Sequence, residues 1–81
     1  MSEIRAYKTL DTKGFLCPIP VVKAKKAIRD VPVGQILEVI STDPAAKADI
    51  PAWTARDGQE LLKTAEDPVG PLFTFWVRRK T

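Results

Sequence analysis

Cys17-Pro18-Ile19-Pro20 marks the start of the first predicted helix of this 81-residue chain, and the other elements are assigned relative to it. Pro18 suits the first helical position, where its fixed φ matches the helix and its missing N–H leaves no hydrogen bond unmade. Pro20 suits only the first turn, because a proline deeper in a helix loses a hydrogen bond and clashes with the preceding turn. The two prolines therefore predict a helix from about Pro18 to Arg29, with Cys17 at its N-terminus.

The predicted helix has one apolar stripe at 3.6 residues per turn. The residues expected to face the core are Val21, Ala24, Ile28 and Val31. The polar residues on the opposite side are Lys23, Lys26, Arg29 and Asp30. Ile19 and Val22 fall among these polar residues. They form either an apolar docking spot or a contact beneath the N-terminal loop, and the sequence leaves both interpretations open.

A second helix is expected after a break in the middle of the chain. Pro51 argues against one continuous helix, so we predict a loose turn over residues 45–48 and a helix from about Ile50 to Arg56. The predictions for its ends and its core are Asp49 as the N-terminal cap, Gly58 as the residue that ends it, and Ile50 and Trp53 as buried side chains.

Four segments are predicted to be strands from their β-branched and alternating apolar residues. They cover residues 6–10, 35–41, 59–64 and 72–78. The last two are joined by Asp67-Pro68-Val69-Gly70-Pro71, whose turn residues predict an antiparallel hairpin. In the last strand, the alternation predicts that Phe73, Phe75 and Val77 are buried and that Trp76 lies on the other face.

The element order β-α-β-α-β-β predicts an α/β fold, a two-layer sandwich in which two helices cover one face of a four-stranded sheet. The sheet should be mixed, because a helical crossover permits parallel strands while a hairpin forces antiparallel ones. Residues 1–81 are expected to form a single domain.

The composition argues against several classes of protein. No apolar run approaches the roughly eighteen residues of a membrane span, and the N-terminus lacks the apolar core of a signal peptide. We therefore expect a cytoplasmic protein that does not contact a membrane. We also expect a monomer, although the sequence does not fix the oligomeric state. A net charge of +3 and 7% aromatic residues are weak signals for nucleic-acid binding, which we do not expect. One cysteine cannot form an internal disulfide.

Cys17 is the candidate reactive residue. A helix N-terminus offers unpaired N–H groups and partial positive charge, which favour a thiolate and lower a cysteine pKa below its free value of about 8.5. The amides of Ile19 and Val21 are candidate donors to an anion on this sulfur. The alternative is a buried cysteine that acts as a small hydrophobe, the commonest role of a free cysteine.

The chain contains no histidine, which limits the chemistry open to Cys17. Cysteine hydrolases use a base beside the nucleophile, whereas persulfide exchange needs only a thiolate and access to a partner's sulfur. One cysteine without histidine does not form the usual zinc shell, so neither a metal nor another cofactor is expected. Asp11 and Asp43 lie near the thiol or, as we favour, act as turn and cap residues.

Further motifs surround the cysteine-proline-x-proline element. They are Leu10-Asp11 and Gly14 ahead of it, and Asp43-Pro44 and Asp49-Ile50-Pro51 after it. In this arrangement the chain resembles the TusA/SirA-like sulfur-carrier family over nearly its whole length. It departs from that family at three positions. Leu16 stands where members often have arginine, Ile19 stands where the tRNA-pathway protein has an acid, and Trp53 stands where some members have another cysteine.

The resemblance implies that Cys17 accepts a sulfur atom as a persulfide and passes it on, with Pro18 and Pro20 as the scaffold of the site. It implies a cysteine desulfurase or a rhodanese-like protein as donor and a DsrE/TusD-like protein as acceptor. The pathways it suggests are tRNA thiolation, molybdenum-cofactor supply and sulfur oxidation, in a sulfurtransferase relay without independent turnover by this chain. The residues expected to form the docking face for partners are Ile19, Val22, Lys23 and Lys26.

Two other functions stay open. In a redox-sensing or nucleic-acid-binding regulatory module, Cys17 would not carry sulfur, and salt-sensitive RNA or DNA binding would survive the Cys17→Ser substitution. A thiol peroxidase would depend entirely on external thiol, because the chain has no second cysteine to resolve an oxidised one.

Overall fold

A computed structural model of the chain describes residues 5–16, 18–67, 69–70 and 72–81. Its elements follow the predicted order β-α-β-α-β-β. Their bounds are β1 Lys8–Thr12, α1 Ile19–Ala27, β2 Ile36–Ser41, α2 Ala46–Asp57, β3 Glu60–Asp67 and β4 Leu72–Arg78. A short 3-10 helix, Ile28–Asp30, continues the end of α1. Within the described ranges, no helix is long and apolar enough to span a membrane.

The four strands form one mixed sheet in the order β1-β2-β4-β3. β1 runs parallel to β2, because the chain between them crosses over through α1, whereas β4 pairs antiparallel with both β2 and β3. One row of the sheet aligns Thr12, Ser41, Phe73 and Glu66. Beyond this row lie the loop from β1 to α1, the loop from β2 to α2 and the hairpin turn from β3 to β4. We call this side of the molecule the motif end.

Both helices pack on the same face of the sheet. The buried residues that β2 and β4 direct to this face are Leu37, Val39, Phe73, Phe75 and Val77. The residues that the two helices and the 3-10 helix add to the same core are Ala24, Ala27, Ile28, Ala46, Ile50 and Trp53. The predicted α/β two-layer sandwich is confirmed.

The predicted apolar stripe of α1 is confirmed. Its buried residues are Ala24, Ile28 and Val31. Val21 is partly buried and packs against the same core. The helix begins one residue later than predicted, so that Pro18 is its N-cap and Pro20 lies at its second position. Both prolines occupy places where an N–H has no partner within the helix, so their presence is tolerated.

The predicted start of α2 is wrong. The helix begins at Ala46, so residues 46–48 of the predicted loose turn, 45–48, belong to the helix and Ala45 is its N-cap. Pro51 therefore lies inside the helix, where a proline costs about 3 kcal/mol. The burial of Ile50 and Trp53 outweighs this cost, since each buried large apolar side chain is worth roughly 1.5–3 kcal/mol.

The end of α2 agrees with its prediction. Gly58 follows the helix in the left-handed conformation, with φ of 74°, which glycine adopts without the clash that a Cβ atom introduces. Asp49, which was expected to cap the start of the helix, instead lies within it.

Two strands differ from their predicted bounds by more than one residue. β1 spans Lys8–Thr12 rather than residues 6–10, because its pairing with β2 continues through Asp11 and Thr12. β3 extends to Asp67 rather than ending at Thr64, because it pairs with β4 as far as Leu72. In both places, the pairing with a neighbouring strand extends a segment whose polar residues alone suggest a turn.

Trp76 lies on the face of the sheet opposite the core, as its place in the alternation of β4 predicted. It is in register with Glu38 on one side and Lys63 on the other. The ammonium nitrogen of Lys63 lies 5.6 Å from the centre of the Trp76 ring, a distance suited to a cation–π contact. Trp76 is therefore partly covered by Lys63 rather than by a helix.

Candidate functional site

Cys17, the predicted reactive residue, lies outside the described residues, so the site is defined by its neighbours. Leu16 is 72% exposed, and Pro18 is exposed as well. Pro20 is fully buried. The motif thus reaches the surface on both sides of position 17, while Pro20 anchors the first turn of α1 in the interior.

The loop that precedes α1 is held by hydrogen bonds. The amide of Gly14 donates to the hydroxyl of Thr42 over 3.0 Å, and the amide of Phe15 donates to the carbonyl of Thr12 over 3.2 Å. Gly14 has φ of 87°, in the left-handed region that favours glycine. These contacts give the backbone a defined path from β1 to the motif.

Three hydroxyl residues at the motif end were not singled out in the sequence. Thr12 and Ser41 are fully buried side by side in the sheet. The Thr12 hydroxyl donates to the carbonyl of Ile40, and the Ser41 hydroxyl accepts the amide of Asp43 over 3.1 Å. Together with Thr42 they fix the two loops at this end. Their sequence carries little signal, because threonine and serine at a strand end have no distinctive spacing.

Asp11 and Asp43 have the turn and cap roles that we favoured from the sequence. Asp11 accepts the amide of Lys13 over 2.9 Å, and Asp43 accepts the amide of Ala45 over 3.0 Å, in the turn that leads into α2. Among the described residues, no group of three or more histidine, cysteine, aspartate or glutamate side chains is placed to hold a metal ion.

The backbone at the start of α1 corrects one prediction. The amide of Ile19 donates to the carbonyl of Leu16 over 3.0 Å, so it is not the free donor to the sulfur that the sequence suggested. The carbonyl of Pro18 accepts the amide of Val22 over 3.0 Å, which is the usual bond of a helix start. The amide of Val21 stays a candidate donor.

Ile19 and Val22 are exposed on α1, by 43% and 47% respectively. Packing beneath the N-terminal loop, one of the two interpretations left open, is therefore wrong. Lys23 reaches back from the helix to the loop, where its ammonium nitrogen lies 4.9 Å from the centre of the Phe15 ring. Phe15 is itself exposed, so the loop adds an exposed aromatic ring beside Lys23.

The outer side of α1 continues into a basic region. Val22, Lys25, Lys26 and Arg29 line an open groove along it. The ion pairs between described residues join Lys8 to Asp30, Lys13 to Asp11, Lys47 to Glu66 and Arg78 to Glu60. None of these pairs uses a cation of α1, so its positive charge is available to a partner.

Comparison with known proteins identifies the family to which this chain belongs. The family model described as Sulfurtransferase TusA matches residues 8–79. This chain belongs to the TusA family. YrkI of Bacillus subtilis (strain 168) is 41% identical to it over 76 residues, which cover 94% of this chain and 99% of YrkI. The sulfur carrier protein TusA of Pseudomonas syringae pv. syringae (strain B728a) is 40% identical over 72 residues, which cover 89% of this chain and 83% of that protein.

A solved structure has the same fold. The SirA-like protein from Desulfitobacterium hafniense matches with a TM-score of 0.77, over 91% of this chain and 99% of its own, at 21% sequence identity. The TusA/SirA-like resemblance carried by the cysteine-proline-x-proline element is thus confirmed. The TusA family consists of sulfur carrier proteins.

Proposed function

We propose that this TusA-family chain holds sulfane sulfur as a persulfide on Cys17 and passes it from a donor protein to an acceptor protein. The observation that carries this proposal is the exposure of Leu16 and Pro18, the two chain neighbours of Cys17, at the N-terminus of a helix. A carrier cysteine must meet a sulfur atom that is bound to another protein. Exposed residues on both sides favour that encounter.

Loading is a thiol exchange in which the Cys17 thiolate attacks the outer sulfur of a donor persulfide. A new sulfur–sulfur bond forms to Cys17 while the donor's sulfur–sulfur bond breaks, and the donor leaves as a thiolate. Delivery repeats the reaction, with the acceptor thiolate as the attacking group and Cys17 as the leaving thiolate. One sulfur atom moves in each step, and no external oxidant or reductant is needed.

The rest of the chain agrees with a relay component that has no independent turnover. The N-terminus of α1 carries the partial positive charge that favours a thiolate over a thiol. The chain has no histidine to act as a base and no second cysteine to resolve an oxidised one, and persulfide exchange requires neither.

The proposed docking face consists of Ile19, Val22, Lys23 and Lys26. Two exposed apolar side chains lie on it beside the motif, and it continues along lysines of α1 that take part in none of the ion pairs between described residues. This combination suits partners whose surfaces offer an apolar patch next to carboxylates. The donors that we propose are a cysteine desulfurase or a rhodanese-like protein, and the acceptor is a DsrE/TusD-like protein of tRNA thiolation, molybdenum-cofactor supply or sulfur oxidation.

The test is to incubate the protein with a cysteine desulfurase and cysteine and to measure its intact mass. The wild type should gain the mass of one sulfur atom, and a reductant should remove it. Cys17→Ser should gain none. An unchanged mass of the wild type, or an equal gain on Cys17→Ser, would contradict the proposal.

A further inference from the structure

A polar cavity lies at the end of the molecule opposite the motif end, between the last turns of both helices and the residues that follow β4. Its charged lining consists of Lys25, Arg29 and Arg79 together with one carboxylate, that of Asp57. Its volume of about 290 Å³ is at the lower limit of the roughly 300–1,000 Å³ that sites for organic ligands have. The cavity therefore suits a small ion, and its lining favours a negatively charged one.

Arg79 is the cation that the fold holds in place. Its Nη1 group donates to the carbonyl of Arg29 over 3.1 Å and to that of Val31 over 2.8 Å, and its Nε donates to the carbonyl of Thr81 over 2.9 Å. These bonds fix the guanidinium plane beside the end of α1. Its Nη2 group donates to no oxygen of the described residues, so two N–H groups stay available for a ligand.

The polar residues beside Arg79 offer more donors than acceptors. The side-chain carbonyl of Gln59 accepts the amide of Lys80 over 2.7 Å, which leaves the NH₂ group of Gln59 as a donor. One carboxylate oxygen of Asp57 accepts the indole N–H of Trp53 over 2.8 Å. An anion with several oxygen atoms supplies the acceptors that such a lining lacks.

The other two cations of the cavity have no partner in the described part of the chain. Neither the ammonium group of Lys25 nor the guanidinium group of Arg29 takes part in an ion pair or donates a hydrogen bond there. The two residues are four positions apart, which brings their side chains to the same side of the helix, where like charges repel each other. An anion between them relieves this repulsion.

We infer that this cavity binds a small oxyanion of the size of phosphate. Arg79 supplies a guanidinium group that the backbone holds in place, while Lys25 and Arg29 supply charges that contact the ion from the helix. Guanidinium and ammonium groups both recognise phosphate oxygens through charge-assisted hydrogen bonds. The cavity lies at the far end of α1 from position 17, so the inference goes beyond sulfur carriage and is independent of it.

The test is a titration of the ¹⁵N-labelled protein with sodium phosphate at neutral pH, followed by NMR and compared with sodium chloride at equal ionic strength. The amide signals of Arg29, Gln59 and Arg79 should shift along a saturable curve in phosphate, with a Kd on the order of 1 mM. Lys25→Gln should raise this Kd about tenfold, and so should Arg29→Gln, because each variant removes a charge-assisted hydrogen bond to the ion.

Lys26→Gln is the matched control. It removes the same charge from the neighbouring residue, which lines the groove along α1 but not the cavity. Since Lys25, Lys26 and Arg29 are all exposed, these variants should keep the fold, and Lys26→Gln should bind phosphate with the wild-type Kd. Equal weakening in Lys25→Gln and Lys26→Gln would overturn the inference, because it would show attraction to the overall charge of α1 rather than binding in the cavity. Shifts that do not saturate, or that chloride reproduces, would overturn it too.

Discussion

The two helices treat their large apolar side chains in opposite ways. α2 buries Ile50 and Trp53 almost completely, and the indole nitrogen of Trp53 donates to Asp57 over 2.8 Å. The buried residues of α1 are the small Pro20, Ala24 and Ala27. Its larger apolar residues Ile19 and Val22 are nearly half exposed. One helix therefore mainly holds the fold together, while the other also presents a surface.

The lysines of the two helices differ in the same way. Lys47 of α2 pairs with Glu66 of β3 and also lies 5.6 Å from the ring of Phe73. Lys25 and Lys26 of α1 take part in none of the ion pairs between described residues. A side chain that is buried or ion-paired is not available for recognition by a partner. We therefore expect substitutions in α2 to change the stability, and substitutions on the outer side of α1 to change the rate of sulfur exchange.

The largest effect is expected in α2, from Trp53→Ala. Removing this buried indole leaves a cavity and should lower the free energy of unfolding by about 3–5 kcal/mol, as measured by urea denaturation. Trp76→Ala, on the partly exposed face of the sheet, is the control and should cost less than half as much. A loss of under about 1 kcal/mol for Trp53→Ala would show that α2 does not anchor the core.

The next effect is expected on α1, from Val22→Asp. A carboxylate on the docking face should slow sulfur loading from a cysteine desulfurase about tenfold while changing the stability by no more than about 0.5 kcal/mol. Ala52→Asp, which adds the same charge to an exposed position of α2, should load at the wild-type rate. Similar slowing in both variants would remove the distinction between the two helices.

A smaller effect is expected at the end of α2, from Gly58→Ala. The left-handed φ of 74° is strained for alanine, so the free energy of unfolding should fall by about 1 kcal/mol. Sulfur loading should not change, because Gly58 follows α2, the helix that mainly stabilises the fold. Gly70→Ala is the control, since a Cβ atom there meets nothing within 4 Å and the backbone is not left-handed. An equal loss in both variants would contradict this explanation.

The smallest effect is expected from Lys26→Glu on α1. Reversing one exposed charge should slow loading from an acidic donor surface about threefold at low salt, and the difference should shrink as ionic strength rises. Lys63→Glu, on the far face of the sheet, should leave loading unchanged. A salt-independent defect in Lys26→Glu would mean that the charge of α1 does not guide the partner.

Much of the fold was predictable because its signals are local. The prolines at 18 and 20, the alternation of Phe73, Phe75 and Val77, and Gly58 each indicate an element by a mechanism that acts within a few residues. The start of α2 was not predictable in the same way, because the burial of Trp53 against the distant sheet outweighs the cost of Pro51.

The candidate site was predictable only in part, for the same reason. The motif indicates Cys17 and its helix, and the exposure of Ile19 and Val22 resolves the alternative that the sequence left open. The engagement of the Ile19 amide by Leu16 and the cavity beside Arg79 depend on the path of the backbone and the order of the strands. Neither can be read from residue types.

The most direct test of sulfur carriage is a single-turnover chase with radiolabelled sulfur. The protein is loaded from labelled cysteine by a cysteine desulfurase, separated from it, and mixed with an acceptor of the DsrE/TusD-like class. The label should first appear on wild-type protein in a form that reductant releases, be absent from Cys17→Ser, and then leave with the acceptor in an equal amount. Label that never enters at Cys17, or that stays on the protein in the presence of the acceptor, would contradict the account.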